Sequence, residues 1–265
     1  MSPQLAFTAA ALLALFASTR GAAQQTGSYP AHWWSPIPED QKASWEILPQ
    51  AAGRGQVILS KRNELGIRSN FAATPFTFRG KRYASVEGFW QMMLYPEGPE
   101  DSRAKAEGVT WTHTRDEVAQ MVAFEAKDAG AAAEANMQKM GIDWVTFEGR
   151  RIEYRSPRKA GHYDLIVAAM RAKLEQNPKV REILMATGDL MLLPDHIEEA
   201  GAAPEWHYYR IWMDIRAELQ ATNVGIESDY SAAVRRCAGD SRFHRSYVCG
   251  WTTGATHGCW KRRVA

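Results

Sequence analysis

The spacing of apolar and polar positions changes several times along this chain, and each change marks an element. Phe76 and Phe78 alternate with Thr77 and Arg79, the two-residue period of a half-buried strand. Arg79-Gly80-Lys81 then turns the chain, with Gly80 free to take positive φ, and Arg82 to Ala84 returns it. Ser85 suits an N-cap, which puts Glu87 in the first turn of a helix. Val57-Ile58-Leu59 reads as a short buried strand, and Trp144 to Tyr154 alternates around Gly149 as a second hairpin. Thr114 with Glu117 three residues on is a capping box, opening a helix with Val118, Met121, Val122 and Glu125 along one face. Ala129 to Met140 is alanine-rich and helical. From Tyr163 to Leu174, the residues Leu165, Ile166, Ala169, Met170 and Leu174 form one helical stripe, stopped at Asn177-Pro178. Val180, Ile183 and Leu184 begin another helix ended at Gly188, and Leu190 to Leu193 is an apolar run closed by Pro194. Glu205 to Leu219 carries Tyr208, Ile211, Trp212, Ile215 and Leu219 on one face. The pattern predicts an α+β fold, mostly helical, with two β-hairpins.

The two ends differ from this middle. Residues 4–18 are an apolar run of signal-peptide length, followed by small residues at Gly21 and Ala23. Residues 1–23 therefore read as a signal peptide, and the protein is expected to be exported, periplasmic or secreted, with no stable membrane span after cleavage. Residues 24–55 form an irregular, proline-containing leader that Trp33, Trp34 and Trp45 are expected to staple to a domain over 56–220. Residues 221–265 are a tail. Hydrophobic residues make up 45% and charged residues 23%, which places the chain among globular proteins rather than disordered ones.

A formal charge of +2 selects no partner, but its distribution is uneven. From Arg235 onward there are seven Lys or Arg against one Asp, so the tail either meets phosphate, anionic lipid or nucleic acid, or simply stays solvated. Cys237, Cys249 and Cys259 all lie in it. In an exported chain three cysteines suggest one disulfide and one spare thiol, and Cys249–Cys259 would close the loop GWTTGATHG. His244 and His257 raise a zinc reading, but their spacing with the cysteines fits no standard metal pattern. No motif points to a cofactor: Gly80 and Gly88 are too far apart for a dinucleotide loop.

On periodicity alone, Glu87 is an ordinary first-turn acid favoured by the helix dipole, although flanking Phe89 and Trp90 would disfavour its ionised form through burial. Ser69 and Asn70 are equally plain turn formers. The segment SNFAATPFTFRGKRYASVEGFWQ, Ser69 to Gln91, nevertheless resembles the signature of the NADAR, or YbiA-like, family. Arg171 to Asn177, Leu184 to Asp189 and Ile215-Arg216 resemble later blocks of that family in the same order.

The resemblance implies an N-glycosidase, which hydrolyses the bond between a nitrogenous base and a ribose phosphate or ADP-ribose. It puts the family's catalytic acid on Glu87, its Ser-Asn-Phe on Ser69, Asn70 and Phe71, and its glutamine on Gln91. Such a reaction passes through an oxocarbenium-like cation, which a carboxylate beside C1′ stabilises while taking a proton from water. Asp195, beside His196, is the expected second acid, by analogy with paired carboxylates in O-glycosidases. Arg68 is expected to face a phosphate, Asn70 ribose hydroxyls, and Phe89 or Trp90 a base. The chain departs from the family pattern at Gly88 and Leu94, where that pattern has His and Lys. The competing expectation is a non-catalytic module that holds ADP-ribose or nucleic acid.

Overall fold

The computed structural model describes residues 29–222 and, in their backbone alone, two strands at 247–251 and 257–261. The architecture is the mostly helical α+β fold with two antiparallel hairpins that the periodicity predicts. In chain order the described elements are β1 (Gln56–Ile58), β2 (Phe76–Phe78), β3 (Lys81–Tyr83), α1 (Val86–Met92), α2 (Arg115–Ala119), α3 (Ala123–Met140), β4 (Trp144–Phe147) and β5 (Arg150–Glu153). They continue with α4 (Gly161–Gln176), α5 (Pro178–Ala186), β6 (Met191–Leu193), α6 (helical over 208–222), β7 (Tyr247–Trp251) and β8 (His257–Lys261).

Both hairpins are built on two-residue loops whose residues all have positive φ: Arg79 (48°) and Gly80 (77°) in the first, Glu148 (51°) and Gly149 (73°) in the second. That turn matches the right-handed twist of the strands it joins. Phe89 on α1 ties the hairpins together, meeting Tyr83, Phe78 and Phe147 edge-on at 4.9, 5.7 and 5.7 Å. Such edge-to-face pairs add about 1 kcal/mol each beyond the area they bury. Phe89 is therefore core.

Helix α1 sits at the centre, with every residue from Val86 to Met92 buried. Arg103, itself 1% exposed, closes its C-terminal end by donating to the carbonyls of Met93, Leu94 and Tyr95.

Three local differences from the sequence pattern have physical causes. The helix opened by Thr114 ends at Ala119, and α3 begins afresh at Ala123. The carbonyls of Ala119 and Met121 are taken by the Ala84 amide (3.1 Å) and the Ser85 hydroxyl (2.9 Å), and Ala123 adopts φ 51°. The run 190–193 is a strand: β6 pairs in parallel with β1, Val57 opposite Leu192. The segment expected to be helical from Glu205 opens as a 3-10 turn, Pro204–Trp206, before α6.

The leader packs down as three short 3-10 turns. Trp33 is buried and donates to Glu64 at 2.6 Å, and Trp34 donates to the Gln56 carbonyl at 2.9 Å. Trp45, expected as a third staple, stands at the surface instead. The signal-peptide reading of 1–23, Cys237 and His244 lie outside the described residues. β7 and β8 set Cys249 opposite Cys259 in an antiparallel register. Among the described residues no helix is long and apolar enough to cross a membrane.

Candidate active site

Glu87 is placed by its neighbours in the chain. Ser85 caps α1 by accepting from the Gly88 amide at 2.9 Å, and its hydroxyl donates onward to Met121 O. The Glu87 amide donates to the Asn70 carbonyl at 2.9 Å, so the loop before the hairpin also supports the helix start. Gly88 allows this end of α1 to press on the end of α2: a Cβ there would lie 2.6 Å from Met121 O and 2.9 Å from Val118 O. The departure from the family pattern at Gly88 thus has a packing reason in this chain.

The Ser69-Asn70-Phe71 loop is fixed from three sides. Lys173 of α4 donates to Ser69 O at 2.9 Å, Trp212 of α6 donates to Arg68 O at 2.8 Å, and the Ala123 amide donates to Phe71 O at 3.2 Å. Lys173 is fully buried; burial, reinforced by nearby Arg68, pushes its pKa down to about 7.

The Glu87 carboxyl accepts one side-chain hydrogen bond, from Gln91 Nε2 at 2.8 Å. Burial pushes its pKa up to about 7, against the pull of that amide and of Lys127, Lys61 and His196. Gln91 has room because Gly130 of α3 faces it; a Cβ on Gly130 would sit 1.9 Å from Gln91 Oε1. Gln91 Oε1 and Asn70 Oδ1 are buried acceptors without a protein partner.

Glu87, Ser69, Asn70, Phe71, Trp90 and Gln91 all line one cleft of about 420 Å³. Trp90 lines it only marginally: it is 4% exposed, with His162 and Trp206 edge-on at 4.9 and 5.6 Å and its indole N–H on Tyr154. It works as wall.

Two expected site residues lie elsewhere. Asp195, just after β6, is fully buried and does not line the cleft. Its carboxylate holds Lys61 Nζ at 2.6 Å and lies 3.2 Å from His196 Nδ1, both of which do line it. Burial pushes the Asp195 carboxyl up, but His196 and Lys61 together overcome that and hold it below its ordinary value. Asp195 therefore meets the cleft wall through those two side chains.

Arg68 is a correction. It ends a 3-10 turn, is fully buried, donates to Ile183 O at 3.3 Å, and does not line the cleft. Burial pushes its guanidinium below its ordinary value.

The cations that do line the cleft are Lys61, Lys127 and Arg155, joined by the imidazole of His196. Arg155 has φ 57° and is held by Glu134 at 2.9 Å, with its guanidinium 5.0 Å from the centre of the Trp206 ring. The sequence reading missed Lys61, Lys127 and Arg155. Lys127 carried one usable signal, since it precedes Gly130 by a helical turn and shares its face. Among the described residues no three His, Cys, Asp or Glu side chains cluster to hold a metal ion.

No family model matches the chain, and no curated protein matches it. Among solved structures it is similar to the NMR structure of the E. coli protein YbiA, at 20% identity and a TM-score of 0.39, over 63% of this chain and 87% of that one.

Proposed function

We propose that this chain is a hydrolase that cleaves the N-glycosidic bond between a nitrogenous base and a ribose phosphate or ADP-ribose, with Glu87 as its catalytic carboxylate. The observation that carries this reading is a buried carboxyl, oriented by one amide and pushed up to about 7, lining a cleft with cationic and aromatic walls. The motif resemblance over Ser69–Gln91 supports the reaction type.

The chemistry follows from the placement. As the C1′–N bond breaks, its electron pair leaves with the base, and C1′ becomes cationic. Ionised Glu87 stabilises that charge and takes a proton from the water that adds to C1′. The departing nitrogen takes up a proton, so the net reaction adds OH to the sugar and H to the base. A base with a pKa near 7 is half ionised at neutral pH and still strong enough to accept a proton. Gln91 fixes the carboxyl, and Asn70 is the proposed partner for ribose hydroxyls. Asp195 is a positioning residue that anchors Lys61 and His196. The anionic part of the substrate is assigned to the cleft cations Lys61, Lys127 and Arg155.

Base release from a panel of ADP-ribosyl N-glycosides tests this. Wild type is expected to release base, and Glu87→Gln to lose at least about 100-fold in turnover while still binding ADP-ribose. Equally slow release by the two proteins would remove the enzyme reading, with retained binding then favouring the non-catalytic module, and equally fast release would remove Glu87 as the catalytic carboxylate. The apolar run 4–18, with Gly21 and Ala23 after it, supports the further proposal that the reaction takes place after export. N-terminal sequencing of the mature protein checks that: a start near Gln24 is expected, and an intact Met1 would count against it.

A further inference from the structure

We infer that Trp45 of the leader, with Phe71 and Phe124, forms a seat at the cleft mouth for a flat heteroaromatic ring of the substrate, beside an anionic group held by Lys61 and Lys127. The inference rests on the N-glycosidase reading for its substrate class, and on separate residues for its geometry.

Four large hydrophobic side chains are exposed among the described residues, and three of them, Trp45 (37%), Phe124 (47%) and Ile197 (74%), line this one cleft. Single exposed apolar residues need no explanation, but several converging on a concave site mark a place where something apolar binds. Trp45 and Phe124 lie 6.0 Å apart with their planes tilted by 59°, and Phe124 meets Phe71 edge-on at 5.3 Å, so the three rings form one angled aromatic cluster. Cations sit over it: Lys61 Nζ is 5.0 Å from the Trp45 ring and 5.3 Å from Phe71, and Lys127 Nζ is 5.8 Å from Phe124. Rings joined to fixed positive charge suit a ligand that is flat and carries a negative group close by.

The seat is built. Asp195 holds Lys61 at 2.6 Å. Glu46, next to Trp45 and buried, grips Arg62 at 2.7 and 2.9 Å, and the Ile47 amide donates to Asp195 O at 2.7 Å. The leader is thus pinned on the C-terminal side of Trp45, and the indole is presented rather than loose. Trp45 lies outside the segments that carry the family resemblance, so the seat is a feature of this chain's leader. It also replaces the expectation that Trp90 takes the ring, since Trp90 is almost wholly enclosed.

Calorimetric titration of full-length Glu87→Gln protein with AMP and with ribose 5-phosphate tests this without turnover. Adding Trp45→Ala is expected to weaken AMP binding about ten-fold or more, and to leave ribose 5-phosphate binding unchanged. Trp45→Phe is expected to restore most of the AMP affinity, with a melting temperature equal to the parent's showing an intact fold in each. No AMP binding by the parent, or an equal loss for both ligands in Trp45→Ala, would overturn the inference. So would AMP affinity that Trp45→Ala leaves unchanged. If instead wild type releases base no faster than Glu87→Gln and both are slow, the enzyme reading fails while the AMP titration still decides the seat.

Discussion

Glu87 and Asp195 are both buried carboxyls beside the same cleft, and they are held in opposite states. Burial raises both. Asp195 has Lys61 at 2.6 Å and His196 at 3.2 Å, and ends below its ordinary value. Glu87 has one neutral amide at 2.8 Å and only more distant cations, and ends near 7. Desolvation raises each, and contact partners decide which carboxyl keeps a usable proton equilibrium. The paired acid is held ionised, whereas the one left almost unpaired can exchange a proton near neutrality. A site of this kind is expected to hold one strained acid supported by satisfied ones.

The largest expected effect that could break this comparison is on Glu87 itself. Glu87→Gln should cut turnover at least about 100-fold and yet stabilise the protein. Between pH 4.5 and about 7 the native state keeps a proton that the unfolded chain has released, so wild-type stability falls as pH rises through that window. Above it the penalty is about 3 kcal/mol, which the amide does not carry. Denaturant melts at pH 5 and pH 8 should show the two proteins converging at the lower pH and the variant more stable at the higher.

Asp195→Asn should act with the opposite sign. It leaves Lys61 without its partner, and because Lys61 is partly exposed the loss should be about 2 kcal/mol, below the roughly 3–5 kcal/mol of a fully buried pair. That contribution is present above the ordinary carboxylate range and is lost as pH falls through the depressed folded value. Turnover should fall about ten-fold through misplacement of Lys61 and His196, with the rise of activity near pH 7 preserved. A pH–rate profile whose ascending limb moved with Asp195 would exchange the two roles.

The smallest effect is the sharpest. Gly130→Ala should push Gln91 off the Glu87 carboxyl. Losing a hydrogen bond worth about 1 kcal/mol corresponds to roughly five-fold in turnover. Stability should hardly change, because alanine in a helix regains about 1 kcal/mol over glycine. Activity and stability measured together separate this outcome from general disruption.

Some of this was legible in the sequence because its causes are local. The loops Arg79-Gly80 and Glu148-Gly149 dictate their hairpins, Ser85 its cap, and Thr114 with Glu117 its capping box. The residues lining the Glu87 wall were reached through an ordered motif. The rest depends on contacts distant in sequence. Parallel pairing of β1 with β6 joins residues from opposite ends of the domain, and no local pattern encodes it. Arg68 looks like a solvent-facing cation, and only the packing of α5 and α6 encloses it. Asp195 sits in the expected neighbourhood but faces Lys61, a partner that the β1–β6 pairing brings near. Trp45 resembles its neighbours Trp33 and Trp34 in a proline-containing leader, and only tertiary structure shows which ones are buried.

The proposed chemistry turns on Glu87 being poised near neutrality while Asp195 is held ionised. Titration of both side-chain carboxyl carbons by ¹³C NMR measures it directly. A Glu87 midpoint near 7 and an Asp195 midpoint below the ordinary aspartate value are expected. A Glu87 midpoint near 4.5, the value of an unperturbed glutamate, would contradict this.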